Sequence, residues 1–173
     1  ARNLLYLGSL SKRMKEGKRV SFSETLYPLF QGYDSIAINA DVELGGTDQR
    51  FNLLTGRKMQ PKYKQEPQDI MMLQILEGTD GRKMSSSWGN VINITDAPND
   101  MFGKVMSVSD DLIIKYFTLA TRIPLKEVAE FQKQLKAGAN PRQIKVRLAE
   151  ELVTLYHGKK SASAAKDEFE KVF

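Results

Sequence analysis

The sequence predicts an α/β chain in which a piece of a doubly wound parallel sheet is followed by an all-α region. Three observations carry this reading. The first half alternates helix, strand, helix, strand; a short strand pattern ends at the Gly45-Gly46 pair directly before a helix pattern; and beyond residue 94 the apolar spacing is helical throughout. The division is placed near Ile94, giving an α/β part over residues 1–94 and a basic helical part over 95–173.

Each element has its own signal. The opening stretch ARNLLYLGSLSKRMKEGKR reads as part of an amphipathic helix that starts without a methionine, so the sequence is expected to be a fragment. In SFSETLYPLFQGYDSIAIN, Ser21 and Glu24 have capping-box spacing, and Leu26, Leu29, Phe30 and Tyr33 follow at helical intervals. Pro28 is expected in the first turns of that helix, where a missing amide hydrogen costs little. DVELGG reads as a strand entering a turn, with Thr47 or Asp48 capping the helix DQRFNLLTGRKMQ. The run QDIMMLQIL is apolar enough for a buried parallel strand with Met71 and Met72 in the core, although periodicity alone leaves a helix open. Turn signals at Pro98, Ser107 to Asp110, Pro124 and Gly138 punctuate the helical part. Asn140-Pro141 starts a helix whose Ile144, Leu148, Leu152 and Leu155 share a face, and His157 before Gly158 suits its end.

Composition excludes several chemistries. The chain has no cysteine and one histidine, which removes disulfides, thiolate metal sites and cysteine nucleophiles and leaves no multi-histidine metal site. No metal ligand set is expected. No apolar run approaches the roughly 20 residues needed to span a bilayer, so a cytoplasmic protein without membrane contact is expected. The net charge of +5 suits a polyanionic partner, and it is concentrated: between Arg122 and Lys166 ten lysines and arginines face four glutamates. Those helices read either as an RNA platform or as solvated faces with mixed charge.

Three motifs bear on chemistry. In GGTDQ, at the carboxyl end of a predicted strand, the glycines permit close backbone approach and Asp48 is able to accept from ribose hydroxyls; a tight turn with Asp48 as a helix cap is the alternative. Tyr27, Gln31 and Asp34 lie at i, i+4 and i+7, which puts a phenol, an amide and a carboxylate on one helix face, fit for a small polar ligand or for solvent. The stretch GRKMSSSWGN fails as a P-loop, because both the glycine spacing and the Lys-Ser adjacency are wrong. Mobility at Gly78, Gly81 and Gly89 would still let Lys83 close on a phosphate with the serines donating, or the stretch is a plain solvated loop. Trp88 is read as a packing anchor.

Together, Y-x-x-x-Q-x-x-D, GGTDQRFN and KMSSS in this order resemble the second half of the Rossmann-like catalytic domain of class I aminoacyl-tRNA synthetases, and most closely the bacterial tyrosyl-tRNA synthetases. The resemblance extends through MFGKVMSVSDDLIIKYF and NPRQIKVRLAEELVTLYHG, which look like that family's connecting and anticodon-side helices. It implies that Tyr27 and Gln31 hold the amino group of tyrosine, Asp34 its phenol and Gln49 its carboxyl group. Gly46 and Asp48 would meet the ATP ribose, and Lys83 with Met84, Ser85, Ser86 and Ser87 would form the loop that binds the ATP phosphates, Lys83 being the catalytic cation. ATP enters as a substrate with Mg²⁺, tRNA(Tyr) is the acceptor, and the complete enzyme is expected to be a homodimer with the first helices near the subunit contact.

Two departures accompany the resemblance. The family's commonest loop carries a second lysine where Ser86 stands, and Arg82 is the candidate replacement. The family's upstream half, with its His-Ile-Gly-His-type motif, and a C-terminal RNA-binding module are not in these residues, so the 173-residue chain alone is expected to be inactive. The alternatives are a tryptophanyl-tRNA synthetase and a non-catalytic RNA-binding relative.

Overall fold

A computed structural model describes residues 8–172, which form two compact units that divide between Ile75 and Leu76. The helix read at the start of the chain falls partly on residues 1–7, outside the described ones.

In the first unit, α1 (Gly8–Lys15) is tied to α2 (Phe22–Ala37) by an ion pair of 2.6 Å from Arg13 to Glu24. The expected capping box is present: the Ser21 hydroxyl accepts from the Glu24 amide at 3.3 Å, and the Ser21 amide donates to the Glu24 carboxylate at 2.7 Å. Pro28 lies deeper than its sequence context suggested. It is buried inside α2, past the first turn, and so removes the bond that an amide there would donate to the Glu24 carbonyl.

Strands β1 (Val42–Gly46) and β2 (Asp69–Leu73) are parallel, in register from Val42 opposite Asp69 to Gly46 opposite Leu73, and α3 (Arg50–Met59) makes the crossover between them. Parallel pairing agrees with the sequence reading, but burial does not. Met71 is 55% exposed and Met72 40%, so neither is a core residue. An apolar strand supplies a surface, whereas its cover must come from other elements, and among the described residues only β1 pairs with β2. The unit is packed instead where α2 meets α3. A β-carbon at Gly32 would lie 3.1 Å from the Gly56 nitrogen, and one at Gly56 would lie 2.9 Å from the Ser35 hydroxyl, so small residues let the two helices approach.

The second unit begins with a loop, residues 76–94, and continues through α4 (Pro98–Met106), α5 (Ile113–Ala120), α6 (Leu125–Lys136), α7 (Pro141–His157) and α8 (Lys159–Val172). Phe102, Val105, Ile113, Phe117, Leu148 and Val153 are fully buried at its centre, with Phe117 stacked 4.8 Å from Phe131. Helix α7 begins as expected, the Asn140 side chain accepting from the Arg142 amide at 2.9 Å, and ends at Gly158, whose φ of 83° needs glycine. Ile144, Leu148 and Leu152 are buried along it, and Leu155 is half-buried. Leu76, Met84 and Ile92 pack against this core, which places the segment before Ile94 in the second unit.

Candidate functional site

The candidate residues of the first unit sit on α2 and at the end of β1. Helical periodicity puts Tyr27, Gln31 and Asp34 on one face of α2; Tyr27 and Asp34 are exposed and Gln31 is half-buried. Gln31 is the anchored member. Its amide nitrogen donates to Glu43 Oε1 at 3.0 Å, and Glu43 Oε2 also accepts from the Ser35 hydroxyl at 3.0 Å and from the Gln68 side-chain amide. Gln68 is fixed in turn, because its backbone amide donates to Gln60 Oε1 at 2.6 Å while Gln60 Nε2 donates to the Ala40 carbonyl at 2.8 Å. Both Gln60 and Gln68 are fully buried; both side-chain amide nitrogens and Gln60 Oε1 are bonded, while Gln68 Oε1 is buried without a hydrogen-bond partner among the described residues.

At the end of β1, Gly46 has an ordinary extended backbone, and a β-carbon there would lie 2.6 Å from the Asp48 carboxylate, so a larger residue would displace that side chain. The expected cap is not formed. Thr47–Gln49 make a 3-10 turn, and Gln49, not Thr47 or Asp48, occupies the position before α3, without a side-chain cap bond. The carboxylate that would cap the helix is turned toward Gly46 instead. Gln49 has its own support, its amide oxygen accepting from Asn52 Nδ2 at 2.9 Å.

The second unit holds the loop with Lys83. Its organiser is Asn90, only 3% exposed. Asn90 Oδ1 accepts from the Ser85 amide at 2.8 Å, its Nδ2 donates to Asp80 at 2.8 Å, and its carbonyl accepts from the Thr79 amide at 3.0 Å. Gly78 is therefore no hinge: a β-carbon there would lie 2.5 Å from both the side chain and the carbonyl oxygen of Asn90. Gly81, at φ 80°, and Gly89, at φ 66°, are the positions that need glycine's conformational range.

Lys83 is exposed and bridges Glu77 through backbone pairing. Ser85 and Ser87 share a hydroxyl contact of 2.8 Å, Ser86 opens a 3-10 turn, and Met84 lines an apolar cavity of about 200 Å³ with Leu76, Ile92 and Tyr116. The base of the loop is tied down by Glu77, which takes an ion pair from Lys115 and whose carbonyl accepts from the Tyr116 hydroxyl at 2.7 Å. Burial, with Glu77 and Asp80 nearby, pushes the Tyr116 phenol up to about 12, so it stays a donor.

Trp88 is not the packing anchor the sequence suggested. It is 56% exposed, with the Arg82 guanidinium 4.6 Å above its ring, because the 3-10 turn and Gly89 hold the indole at the surface. Arg82 is engaged a second time, donating to Asp80 at 2.7 Å. Hydrogen bonds from Asn90 and then Arg82 hold the Asp80 carboxyl at about 2.

Of the cations between Arg122 and Lys166, Lys133, Lys145, Arg147 and Lys166 stand in ion pairs with carboxylates, which lowers the net field of those helices. Among the described residues no group of three or more His, Cys, Asp or Glu is placed to hold a metal, and no helix is long and apolar enough to cross a membrane. Sequence reasoning missed Glu43, Asn52 and Asn90. Glu43 had a usable signal, a carboxylate in a short strand pattern, where a charge needs partners.

Residues 2–173 match the family described as tRNA synthetases class I (W and Y). The chain is similar to a tyrosine–tRNA ligase of Carboxydothermus hydrogenoformans, 53% identical over 165 residues, which cover 94% of this chain and 40% of that protein. A tyrosine–tRNA ligase of Thermotoga maritima is 51% identical over 172 residues, 98% of this chain and 43% of its own. The chain thus spans less than half the length of the curated relatives it matches. Among solved structures, a C-terminally truncated Aspergillus nidulans mitochondrial tyrosyl-tRNA synthetase is similar with a TM-score of 0.68 at 22% identity, over 99% of this chain and 51% of that one. An Archaeoglobus fulgidus tyrosyl-tRNA synthetase complexed with L-tyrosine gives 0.64 at 23%, over 94% and 61%. At these identities the structural likeness speaks to the fold, which is that of the class I synthetases.

Proposed function

The chain belongs to the class I tRNA synthetases of the tryptophan and tyrosine type, and from that premise we propose that it is the second half of the catalytic domain, with following helices, of a tyrosine–tRNA ligase. The observation that carries the choice of tyrosine is the pair of relatives above, both tyrosine–tRNA ligases and more than half identical over nearly all of this chain. The tryptophan enzyme and the non-catalytic relative have no comparable support.

The proposed reaction activates tyrosine with ATP and then passes it to the terminal ribose of tRNA(Tyr). The first step is attack of the amino acid's carboxylate on the α-phosphate, with pyrophosphate leaving. No general base is required, because a carboxyl group with a reference pKa of about 3.5 is already ionised at neutral pH. Catalysis is therefore positioning and charge stabilisation. Tyr27 and Gln31 take the ammonium group, Asp34 the phenol, Gln49 the carboxylate, and Gly46 with Asp48 the ribose. Lys83, with Ser85 and Ser86, meets the phosphates as their charge moves onto the leaving group. Mg²⁺ bound to the nucleotide would supply further charge neutralisation at the phosphates.

Arg82 is a weaker candidate for the missing second lysine than its position suggests, since Asp80 and Trp88 already engage it. We also retain residues 1–94 as the catalytic part and 95–173 as the connecting and anticodon-side part, a cytoplasmic homodimer as the working form, and inactivity of the 173 residues alone, because Tyr27 and Asp34 stand open to solvent. The test is amino-acid-dependent exchange of pyrophosphate into ATP by the full-length protein. Exchange with tyrosine and not with tryptophan is expected; the reverse preference, or none, would refute the reading.

A further inference from the structure

We infer that Glu43 is a positioning residue of the amino-acid site, which sets the polarity of Gln31 so that this amide offers its oxygen, and not its NH₂ group, to the ligand's ammonium group. The inference rests on the tyrosine-ligase reading and deepens it.

A glutamine amide is two-faced, and a ligand ammonium binds only the oxygen. The side chain of Gln31 has no intrinsic preference between the two orientations. Glu43 removes the choice, because an ionised carboxylate only accepts, and Gln31 reaches it with its nitrogen at 3.0 Å. The amide oxygen is then turned away from Glu43. The carboxylate also places negative charge behind the amide, which strengthens the oxygen as an acceptor for a cation.

Glu43 cannot easily turn to release Gln31. Its other oxygen is held by Ser35 on the same helix as Gln31 and by Gln68 before β2, and Gln68 is anchored through Gln60 to the Ala40 carbonyl. The strand, two helices and the segment before β2 therefore fix one amide. Gln49 differs: its side-chain partner at 2.9 Å is Asn52, another amide, which bonds it in either orientation and so does not set its polarity as a carboxylate does.

The experiment measures tyrosine-dependent pyrophosphate exchange in the full-length protein for four forms: wild type, Glu43→Gln, Gln31→Glu and the double exchange Gln31→Glu/Glu43→Gln. Glu43→Gln is nearly isosteric but lets residue 31 take either orientation, so KM for tyrosine should rise about tenfold, the equivalent of one charge-assisted hydrogen bond, while kcat and KM for ATP stay within about twofold. Gln31→Glu alone sets two carboxylates against each other and should be worse. The double exchange restores a donor at 43 and an acceptor at 31, and should recover most of the lost affinity, a coupling that general damage to the fold does not produce. Equal losses in tyrosine and ATP parameters for Glu43→Gln, or a double exchange no better than the worse single, would overturn the inference. If Glu43→Gln proves poorly folded by thermal unfolding, the double exchange decides on the same criterion. A wild type without tyrosine-dependent exchange would instead overturn the tyrosine-ligase reading, and this inference with it.

Discussion

The α2–β1 constellation of the first unit and the Lys83 loop of the second are built on opposite plans. Around Gln31 the supporting groups are interior: Gln60 and Gln68 are fully buried, and Glu43 accepts from three side chains. Around Lys83 the visible contacts are at the surface. Arg82, Asp80 and Trp88 face solvent, while Asn90, Met84 and the Glu77 base reach inward. A buried network that ties one carboxylate to three side chains favours one geometry, as the proposed selection of one amino acid would demand. Exposed ion pairs are worth about 0–1 kcal/mol and are easily exchanged for other partners, as would suit the proposed phosphate-binding role of this loop.

This contrast is most sharply broken at its two functional ends. Lys83→Ala in the full-length protein should lower the rate of adenylate formation about a hundredfold or more while leaving tyrosine affinity within about threefold, because the cation acts on charge that develops at the phosphates. Single-turnover kinetics separates the two. Asp34→Ala should do the converse, raising KM for tyrosine about thirtyfold through loss of a hydrogen bond to a charged acceptor, with KM for ATP changed less than about threefold. Parallel effects of both variants on both substrates would erase the division of labour between the regions.

How much of this was legible in the sequence also differs between the regions. The capping box at Ser21, the Asn140 cap and the parallel strand pair rest on local rules, and all three are present. Burial of Met71 and Met72 failed because an apolar run gives a strand a surface fit for burial but does not report whether another element packs on it. The Asp48 cap failed because Thr47–Gln49 wind into a 3-10 turn that puts Gln49 at the position before α3. Tyr27, Gln31 and Asp34 were readable from helical spacing. A carboxylate in a strand pattern signals only that Glu43 needs partners; which partners, Ser35 and Gln68, 8 and 25 residues away, emerges only from the fold.

Gly78 tests whether the loop has a rigid base beneath its exchangeable surface. Gly78→Ala would force a β-carbon against the backbone carbonyl of buried Asn90, and overpacking of this kind costs about 1–3 kcal/mol. Thermal unfolding of the second unit should move to lower temperature, whereas Gly103→Ala, with nothing within 4 Å of its added carbon, should leave it unchanged or slightly raised. Equal shifts for the two would mean that Gly78 is not packed tightly against Asn90.

The smallest effect belongs to the surface contacts themselves, and Trp88, the chain's only tryptophan, reports them directly. Asp80 is held at about 2, first by Asn90 and then by Arg82, against an unfolded-state value of about 3.9. A depressed carboxyl contributes fully above its unfolded pKa and loses that contribution as pH falls through its folded value, so the Arg82–Asp80 contact should persist at pH 7 and 5 and give way as pH falls through about 2. With Asp80 protonated, Arg82 loses one of its two holds over the indole. Trp88 emission should therefore be flat down to about pH 4 and then change, with a midpoint near 2. Arg82→Ala should abolish this step, which separates it from acid unfolding, because unfolding would move Trp88 emission in that variant too. Asp80→Asn should show at pH 7 the emission that the wild type reaches only in acid, and should change pyrophosphate exchange by no more than about threefold. A midpoint near 4 would mean that Asp80 is an ordinary solvated aspartate, and a large loss of exchange would mean that the contacts around Arg82 are part of a fixed site after all.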